Sequence, residues 1–261
     1  DLFGATSGLK VNWPKSCVFP LKHTPPQRQH PVIGVNIMWK YDSFKYLGIQ
    51  IYHTEADLLE GNLCRALRSM RGSLKFWTAL PLSPMGRVSI SKMLILPRLL
   101  YFFSALPLVP PARYFSDLNK FLGELVWGPH RHRVALTKLF TPLESGGLGV
   151  PNFELYHAAA QLQWPTRWLA VGQCLERDQI LDALGGQNIY HWLAAPGPLA
   201  NIKSILMKTA KHVWRKFVMK RGDTPPYSPL LALKMIPTLQ NVRRYHELDS
   251  WFEAGIVEIR D

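Results

Sequence analysis

The chain has 261 residues, with 31 lysines and arginines against 18 aspartates and glutamates, and a formal net charge of +13. Hydrophobic residues make up 47% of it and aromatic residues 11%, enough to bury a core, which excludes a wholly disordered chain. The positive excess favours a polyanionic partner, with nucleic acid ahead of an anionic membrane surface.

The first fifty residues are predicted to form β-structure. Short runs of β-branched and aromatic residues occupy 11–21, 32–39 and 44–52, and turn residues such as Pro25-Pro26 and Asp42-Ser43 separate them. These runs predict a small antiparallel β-platform within residues 1–54.

Helical spacing of apolar residues begins at Glu55. It predicts one long amphipathic helix to Leu80, a second opened by Ser83-Pro84 and running through Ile95, and three more over 112–127, 153–171 and 201–221. Acidic residues, glycines and prolines between 171 and 200 predict a boundary there. The fold class is therefore predicted to be α+β, with a β-region at 1–54, a helical bundle at 55–170 and a helical extension at 171–261.

The long helix carries a row of cations. Arg65, Arg68, Arg71 and Lys75 recur at i, i+3, i+6 and i+10, and the sequence between Asn62 and Leu80 contains no acidic residue. Such a row can follow successive phosphates and release counterions. The alternative is an ordinary solvated face, as on most charged helices.

The most apolar stretch, residues 93–111, is interrupted by Pro97, Arg98 and Pro107. A spanning helix needs about 20 largely uninterrupted apolar residues, so no stable membrane span is expected, and a membrane-associated protein is the least favoured interpretation. The chain starts at Asp1 without a signal or transit pattern. We expect it to be a fragment entered within a domain.

Known catalytic and metal-binding motifs are missing from the sequence. Cys17, Cys64 and Cys174 form no CxxC pattern, which predicts no zinc site and favours a reducing intracellular setting, in nucleus or cytoplasm. There is no GxSxG, Walker A or GxGxxG string, and His130 and His132 match no metal motif. The glycines of 146–149 are expected to shape a loop before the next helix.

Five strings in order are similar to the reverse transcriptases of LINE-1-type non-LTR retrotransposons. They are SGLKVNWPKSCVFPL (7–21), FKYLGIQI (44–51), LPLSPMGRVSISKMLILPRLLYFFSALPL (80–108), FLGELVWG (121–128) and ESGGLGVPNFELYHAAAQLQW (144–164). WFEAGIVEIRD at the end of the chain resembles the start of a further block of such proteins. The resemblance implies that 1–54 is the end of the palm and that the helices after it form the thumb.

The resemblance also implies roles for residues of the palm segment. Lys15, and after it Lys10, would lie near the triphosphate of the incoming nucleotide, where a cation can offset the charge of the leaving group. Tyr46, Leu47 and Gly48 would form the hairpin that holds the primer terminus. The alternatives are two ordinary lysines at a strand edge and a plain core strand.

In the implied thumb, the cations are expected to contact nucleic acid. These residues are Arg65, Arg68, Arg71, Lys75, Arg87, Lys92, Arg131 and Arg133. An exposed basic loop such as 131–133 needs no function to be basic.

The family's chemistry requires carboxylates that this sequence lacks. Templated nucleotide addition uses two metal ions, Mg²⁺ in the full-length family, held by an aromatic-x-Asp-Asp turn and an earlier aspartate. The chain contains no Asp-Asp pair, so we expect it to bind no metal and to be inactive alone. It would then grip an RNA–DNA hybrid or another nucleic acid beside an upstream reverse transcriptase half. The alternative is a remnant nucleic-acid-binding or protein-interaction scaffold without enzymatic activity.

Overall fold

A computed structural model describes most of the chain. The described residues are 2–20, 37–128, 134–170, 175–185, 187–194, 198–199 and 202–219. Packing divides the chain into two units, residues 1–77 and 78–261. This division is made on packing alone, and the three segments proposed above, with boundaries at 54 and 170, stay predictions.

The first unit begins with short elements. They are α1 (Leu2–Ser7), a 3-10 turn (Trp13–Lys15), β1 (Cys17–Val18), β2 (Met38–Trp39), β3 (Phe44–Tyr46) and β4 (Ile49–Ile51). Strands β3 and β4 form an antiparallel hairpin, with Phe44 opposite Ile51. The antiparallel prediction is wrong for the other pair, since β1 and β2 run parallel, with Cys17 opposite Met38. The connection of residues 19–37 is long enough for the crossover that parallel pairing requires.

An aromatic cluster joins the β1 segment to the hairpin. The Phe19 ring lies 4.9 Å from that of Phe44 and stacks on His53 at 4.3 Å, measured between ring centroids. The His53 Nε2 atom lies 2.7 Å from the Tyr41 carbonyl oxygen. The two small sheets therefore pack around shared side chains.

The long helix after the hairpin is present, but it is not uniform. It consists of α2 (Glu55–Leu58), a π segment (Leu59–Cys64) and α3 (Arg65–Ala79). Thr54 caps its start, since its Oγ1 atom accepts a hydrogen bond from the Asp57 N–H at 3.1 Å. The π segment was not predicted, because apolar spacing does not distinguish a single wide turn within a helix.

The described residues of the second unit are mostly helical. The helical segments are α4 (Pro84–Ile90), a π segment (Ser91–Ile95), α5 (Leu96–Ala105), α6 (Ala112–Trp127), α7 (Leu136–Phe140), a 3-10 turn (Leu143–Ser145), α8 (Phe153–Leu169), α9 (Leu175–Ala183), α10 (Ile189–Ala194), α11 (Ile205–Val213) and a final π segment (Trp214–Val218).

Helix starts and stops in this unit follow local chemistry. Ser83 caps α4 by accepting from the Gly86 N–H at 3.2 Å, with Pro84 in the first turn, as predicted. Gly128 ends α6 with a φ of 59°. The expected end at Ile95 is wrong, because the π segment re-registers the main-chain hydrogen bonds and Pro97 falls in the first turn of α5, where no N–H is needed.

Polar side chains satisfy the main chain that follows α5. The carbonyl of Leu108 lies 2.9 Å from His157 Nε2, that of Leu106 accepts from Gln161 Nε2 at 3.0 Å, and that of Pro107 accepts from Thr209 at 2.9 Å. Burial lowers the pKa of His157 from 6.5 to about 4. Neutral His157, with its proton on Nε2, is therefore part of the core.

A second core cluster joins α8 to the helices that follow it. Its buried residues are Trp168, Ile180, Ile189, Trp192, Leu193, Met207, Ala210 and Trp214. Beside it the Lys211 ammonium lies 4.8 Å from the centroid of the Trp192 ring, and burial, followed by the charge of Arg215, lowers the Lys211 pKa to about 8. The cluster joins residues on both sides of the boundary predicted at 170.

The helical stretch Pro84–Ala105 satisfies the length and composition of a membrane span. It has 22 residues and a mean hydropathy of 1.3, and 33% of its most apolar window is buried. A core helix of a soluble protein meets the same criterion, so the absence of a stable span stays a prediction.

Candidate nucleic-acid interface

The hairpin of the first unit ends in a strained, exposed turn. Leu47 and Gly48 connect β3 to β4 with φ values of 46° and 87°, and positive φ at both central residues is the geometry of the tight turns that suit a twisted hairpin. Leucine rarely adopts this conformation. The Tyr46 and Leu47 side chains are 61% and 74% exposed. The structure therefore presents the Tyr46 and Leu47 side chains at the tip. The primer-binding role that the family resemblance implies for Tyr46, Leu47 and Gly48 stays a prediction.

Helix α3 has one apolar face and one basic face. Leu67 and Met70 are 7% and 2% exposed, whereas Arg65, Arg68 and Arg71 are exposed. The one-sided arrangement expected from the arginine spacing is present. The side chain of Lys75 lies outside the described part of the structure, although its main chain belongs to α3.

Arg68 has an acidic partner that the sequence did not predict. Its Nη1 atom lies 2.6 Å from Glu60 Oε1, and both side chains are more than half exposed. The hydrogen bond from Arg68, followed by one from Cys64, lowers the pKa of Glu60. An exposed ion pair of this kind contributes little to stability, so a phosphate can replace the carboxylate without a large cost to the fold.

The basic face also contains an aromatic residue that the sequence analysis missed. Phe76 is 66% exposed, and its ring meets Trp77 edge-on at 5.6 Å between centroids. Eleven residues separate it from Arg65, and at about 100° per residue the two lie within roughly 20° of each other around the helix. Helical-wheel arithmetic applied to aromatic residues would have found it. An exposed ring among cations can stack on a base.

Lys10 and Lys15 are both exposed, on the segment that leads to β1. The Asn12 side chain organises the turn before Lys15 by accepting from the Lys15 N–H at 3.3 Å, and Ser16 donates to the Asn12 carbonyl at 2.9 Å. The Asn-x-x-Lys-Ser string therefore has a structural reason of its own. A role near a nucleotide stays a prediction for both lysines.

Arg87 differs from the other cations predicted to contact nucleic acid, because its guanidinium is buried inside the second unit. The residue is 8% exposed, and its nitrogen atoms donate to the carbonyls of Leu80, Leu82 and Leu125, each at 3.2 Å. These bonds compensate the burial of the charge. The position favours a structural role over the nucleic-acid contact predicted from the sequence.

The remaining predicted contacts separate into two groups. Lys92 is exposed on the π segment after α4, so a contact there stays a prediction. Arg131 and Arg133 lie outside the described residues.

The glycine loop before α8 is as expected: Gly146 has a φ of 80°, and a Cβ at Gly147 would overlap the Thr141 carbonyl.

Within the described residues, no three His, Cys, Asp or Glu side chains are grouped so that they could hold a metal ion. The donor set on these elements does not fit a two-metal polymerase site, which needs several clustered carboxylates.

No protein-family model matches this chain. The candidate interface is therefore described by its geometry alone: the exposed arginines of α3, the Phe76 ring and the apolar tip of the hairpin, all within residues 1–77.

Proposed function

We propose that this chain binds the sugar–phosphate backbone of a nucleic-acid duplex, first of all an RNA–DNA hybrid, through the basic face of α3. The observation that carries the proposal is the placement of Arg65, Arg68 and Arg71 at the surface while Leu67 and Met70 of the same helix are buried. A helix anchored in this way holds its cations at fixed spacing, which favours phosphates that are themselves regularly spaced.

Nucleic acid accounts for this surface better than a solvated face does. Guanidinium groups bind phosphate oxygens in a bidentate manner. Phe76, Tyr46 and Leu47 add exposed apolar groups that can pack on bases or sugars. A purely solvated face would need neither.

The Glu60–Arg68 pair fits the same proposal. The carboxylate holds the Arg68 side chain at 2.6 Å in the free protein. A backbone phosphodiester, like the carboxylate, carries one negative charge and two unesterified oxygens, so it can accept the same hydrogen bonds from Arg68. Binding would therefore exchange one anionic partner of Arg68 for another, without exposing an unpaired charge.

By resemblance to LINE-type reverse transcriptases, the parent reaction is DNA synthesis on an RNA template. We assign to this chain the binding of the template–primer and not the catalysis of nucleotide addition. Primer extension by this chain alone, abolished by chelation of divalent metal, would contradict that assignment.

The test is the salt dependence of hybrid binding. Replacing Arg68 and Arg71 together with Gln should lower the affinity for an RNA–DNA hybrid and flatten the plot of log K against log salt by about one unit per lost contact. The matched control replaces Arg113 and Lys120, exposed cations of α6, with Gln. This control removes the same charge from another helix and should leave the slope unchanged. Equal slopes in both variants would contradict the proposal.

A further inference from the structure

Asn62 connects the hairpin to the basic helix. Its side chain is buried, with the residue 3% exposed, and lies in the π segment between α2 and α3. Its Oδ1 atom accepts from the Gln50 N–H at 2.8 Å, and its Nδ2 atom donates to the Gln50 carbonyl at 2.7 Å and to the Leu58 carbonyl at 2.9 Å. The amide thus pairs with β4 as a neighbouring strand would.

The residue before Asn62 strengthens this connection. Gly61 packs so closely on the Tyr52 ring that a Cβ at Gly61 would overlap ring atoms. Tyr52 directly follows β4, so the same strand end is held twice, by a bidentate amide and by a ring on a glycine. A π turn inside an α-helix is rare. The hydrogen bonds of Asn62 and the packing of Gly61 on Tyr52 stabilise this one.

The connection places the two halves of the interface within reach of one duplex. Gly48 is two residues from Gln50 along a strand, which is about 7 Å. Arg65 is three residues from Asn62 along a helix, which is about 5 Å. The hydrogen-bonded junction between Gln50 and Asn62 joins these two segments. The whole path from Gly48 to Arg65 is then about 20 Å at most, which is roughly six nucleotide steps of one strand.

We propose that Asn62 is a positioning residue: it fixes the Tyr46–Leu47 tip against α3, so that tip and arginines contact the same nucleic-acid duplex. This inference rests on the proposed function. Asn62 itself does not touch the nucleic acid. Without it the tip and the helix remain folded, but the tip no longer has a fixed position relative to the phosphates.

The first test measures the contact between Asn62 and β4 in the protein without nucleic acid. Replacing Asn62 with Leu should speed hydrogen exchange of the Gln50 amide while the amides of α3 keep their protection. The control, Gln50→Ala, removes the side chain but keeps both main-chain bonds to Asn62. The amide at position 50 should therefore keep its protection from hydrogen exchange. Unchanged exchange at Gln50 in the Asn62→Leu protein would overturn the proposal. If that protein does not fold, Gly61→Ala is the second variant, since it displaces Tyr52 and retains Asn62.

The second test is a double-mutant cycle on hybrid binding. Leu47→Asn removes the more exposed of the two apolar side chains at the tip and introduces a residue that tolerates positive φ. We expect Leu47→Asn and Asn62→Leu to weaken hybrid binding each by a similar factor, and the double variant to bind no more weakly than either. Effects that multiply independently, or an Asn62→Leu protein with unaltered affinity, would show that Asn62 is structural only.

The two proposals fail in different ways. If the Arg68 and Arg71 substitutions leave the salt slope unchanged, the proposed function fails. If they flatten it while the Leu47–Asn62 cycle is additive, hybrid binding stands and the positioning role alone is wrong.

Discussion

The two units use arginine in opposite ways. In the first, Arg65 and Arg68 lie on the solvent side of a helix, and the partner of Arg68 is an exposed carboxylate. In the second, Arg87 is buried and donates to three main-chain carbonyls. A guanidinium whose donors are engaged by the fold contributes stability, whereas one at the surface can exchange its partner for a phosphate. Location, and not residue type, therefore separates an arginine that can bind a phosphate from one that stabilises the fold.

Of the changes that test this comparison, removal of the buried arginine should have the largest effect on stability. Arg87→Leu would leave the carbonyls of Leu80, Leu82 and Leu125 without these donors, which we expect to lower the free energy of unfolding by about 2–4 kcal/mol. Urea denaturation measures this. Arg98→Leu, at an exposed position of the same unit, is the control and should change stability little. Equal effects of the two substitutions would show that Arg87 does not hold the main chain.

The second unit should also lose stability in acid through His157. Its pKa is lowered by burial to about 4 from 6.5, so between these values the unfolded chain binds a proton that the folded chain does not. The contribution is complete above pH 6.5 and is lost as the pH falls towards 4, about 3 kcal/mol in all.

Several charged groups face this imidazole, namely Lys216, Glu154 and His212, and burial lowers the pKa of His212 as well. The measurement is therefore a difference, comparing urea midpoints of the wild type and of His157→Gln across pH 4–7. The variant should show a flatter profile. Parallel profiles would exclude His157 as the source.

In the first unit, two glycines on one helical stretch provide a matched pair. Gly61→Ala should destabilise the protein by about 1–3 kcal/mol because the new methyl group meets the Tyr52 ring. Gly72→Ala meets nothing within 4 Å, so it should stabilise α3 by up to about 1 kcal/mol through helix propensity. Thermal unfolding compares them. Two stabilising substitutions would contradict close packing at Gly61.

The smallest effect is expected from the exposed carboxylate beside Arg68. Glu60→Gln removes the charge that pairs with Arg68, and because both side chains are exposed the melting temperature should not change measurably. Hybrid binding should tighten a few-fold at low salt, since one repulsive charge is lost. Asp117→Gln, beside Arg113 on α6, should leave binding unaltered. Weaker hybrid binding by Glu60→Gln would mean that Glu60 orients Arg68 for its ligand.

Local patterns predicted the helices with clear signals and the exposed arginines. Ser83-Pro84 and Gly128 carry their own chemistry for starting and ending a helix, so sequence alone was sufficient there. The spacing of Arg65, Arg68 and Arg71 against Leu67 and Met70 was equally local. The mostly helical α+β class followed from the same periodicities.

The misses depend on long-range contacts or on wide turns. Arg87 looked like the other cations because its partner at Leu125 belongs to a different helix. Glu60 and Arg68 are eight residues apart on a stretch that contains the π segment, and regular helical spacing does not anticipate a contact at that separation. Asn62 was overlooked because two of its three hydrogen-bond partners, the N–H and the carbonyl of Gln50, are main-chain atoms of a separate strand. The parallel pairing of β1 with β2 likewise depends on a long connection.

The most direct test is arginine-specific chemical modification of the full chain, with and without a saturating RNA–DNA hybrid, read by mass spectrometry. Arg65 and Arg68 should react in the free protein and be protected by the hybrid, Arg113 should react in both states, and Arg87 should resist in both. Undiminished reaction of Arg65 and Arg68 in the presence of bound hybrid would contradict the assignment of α3 as the nucleic-acid-binding surface.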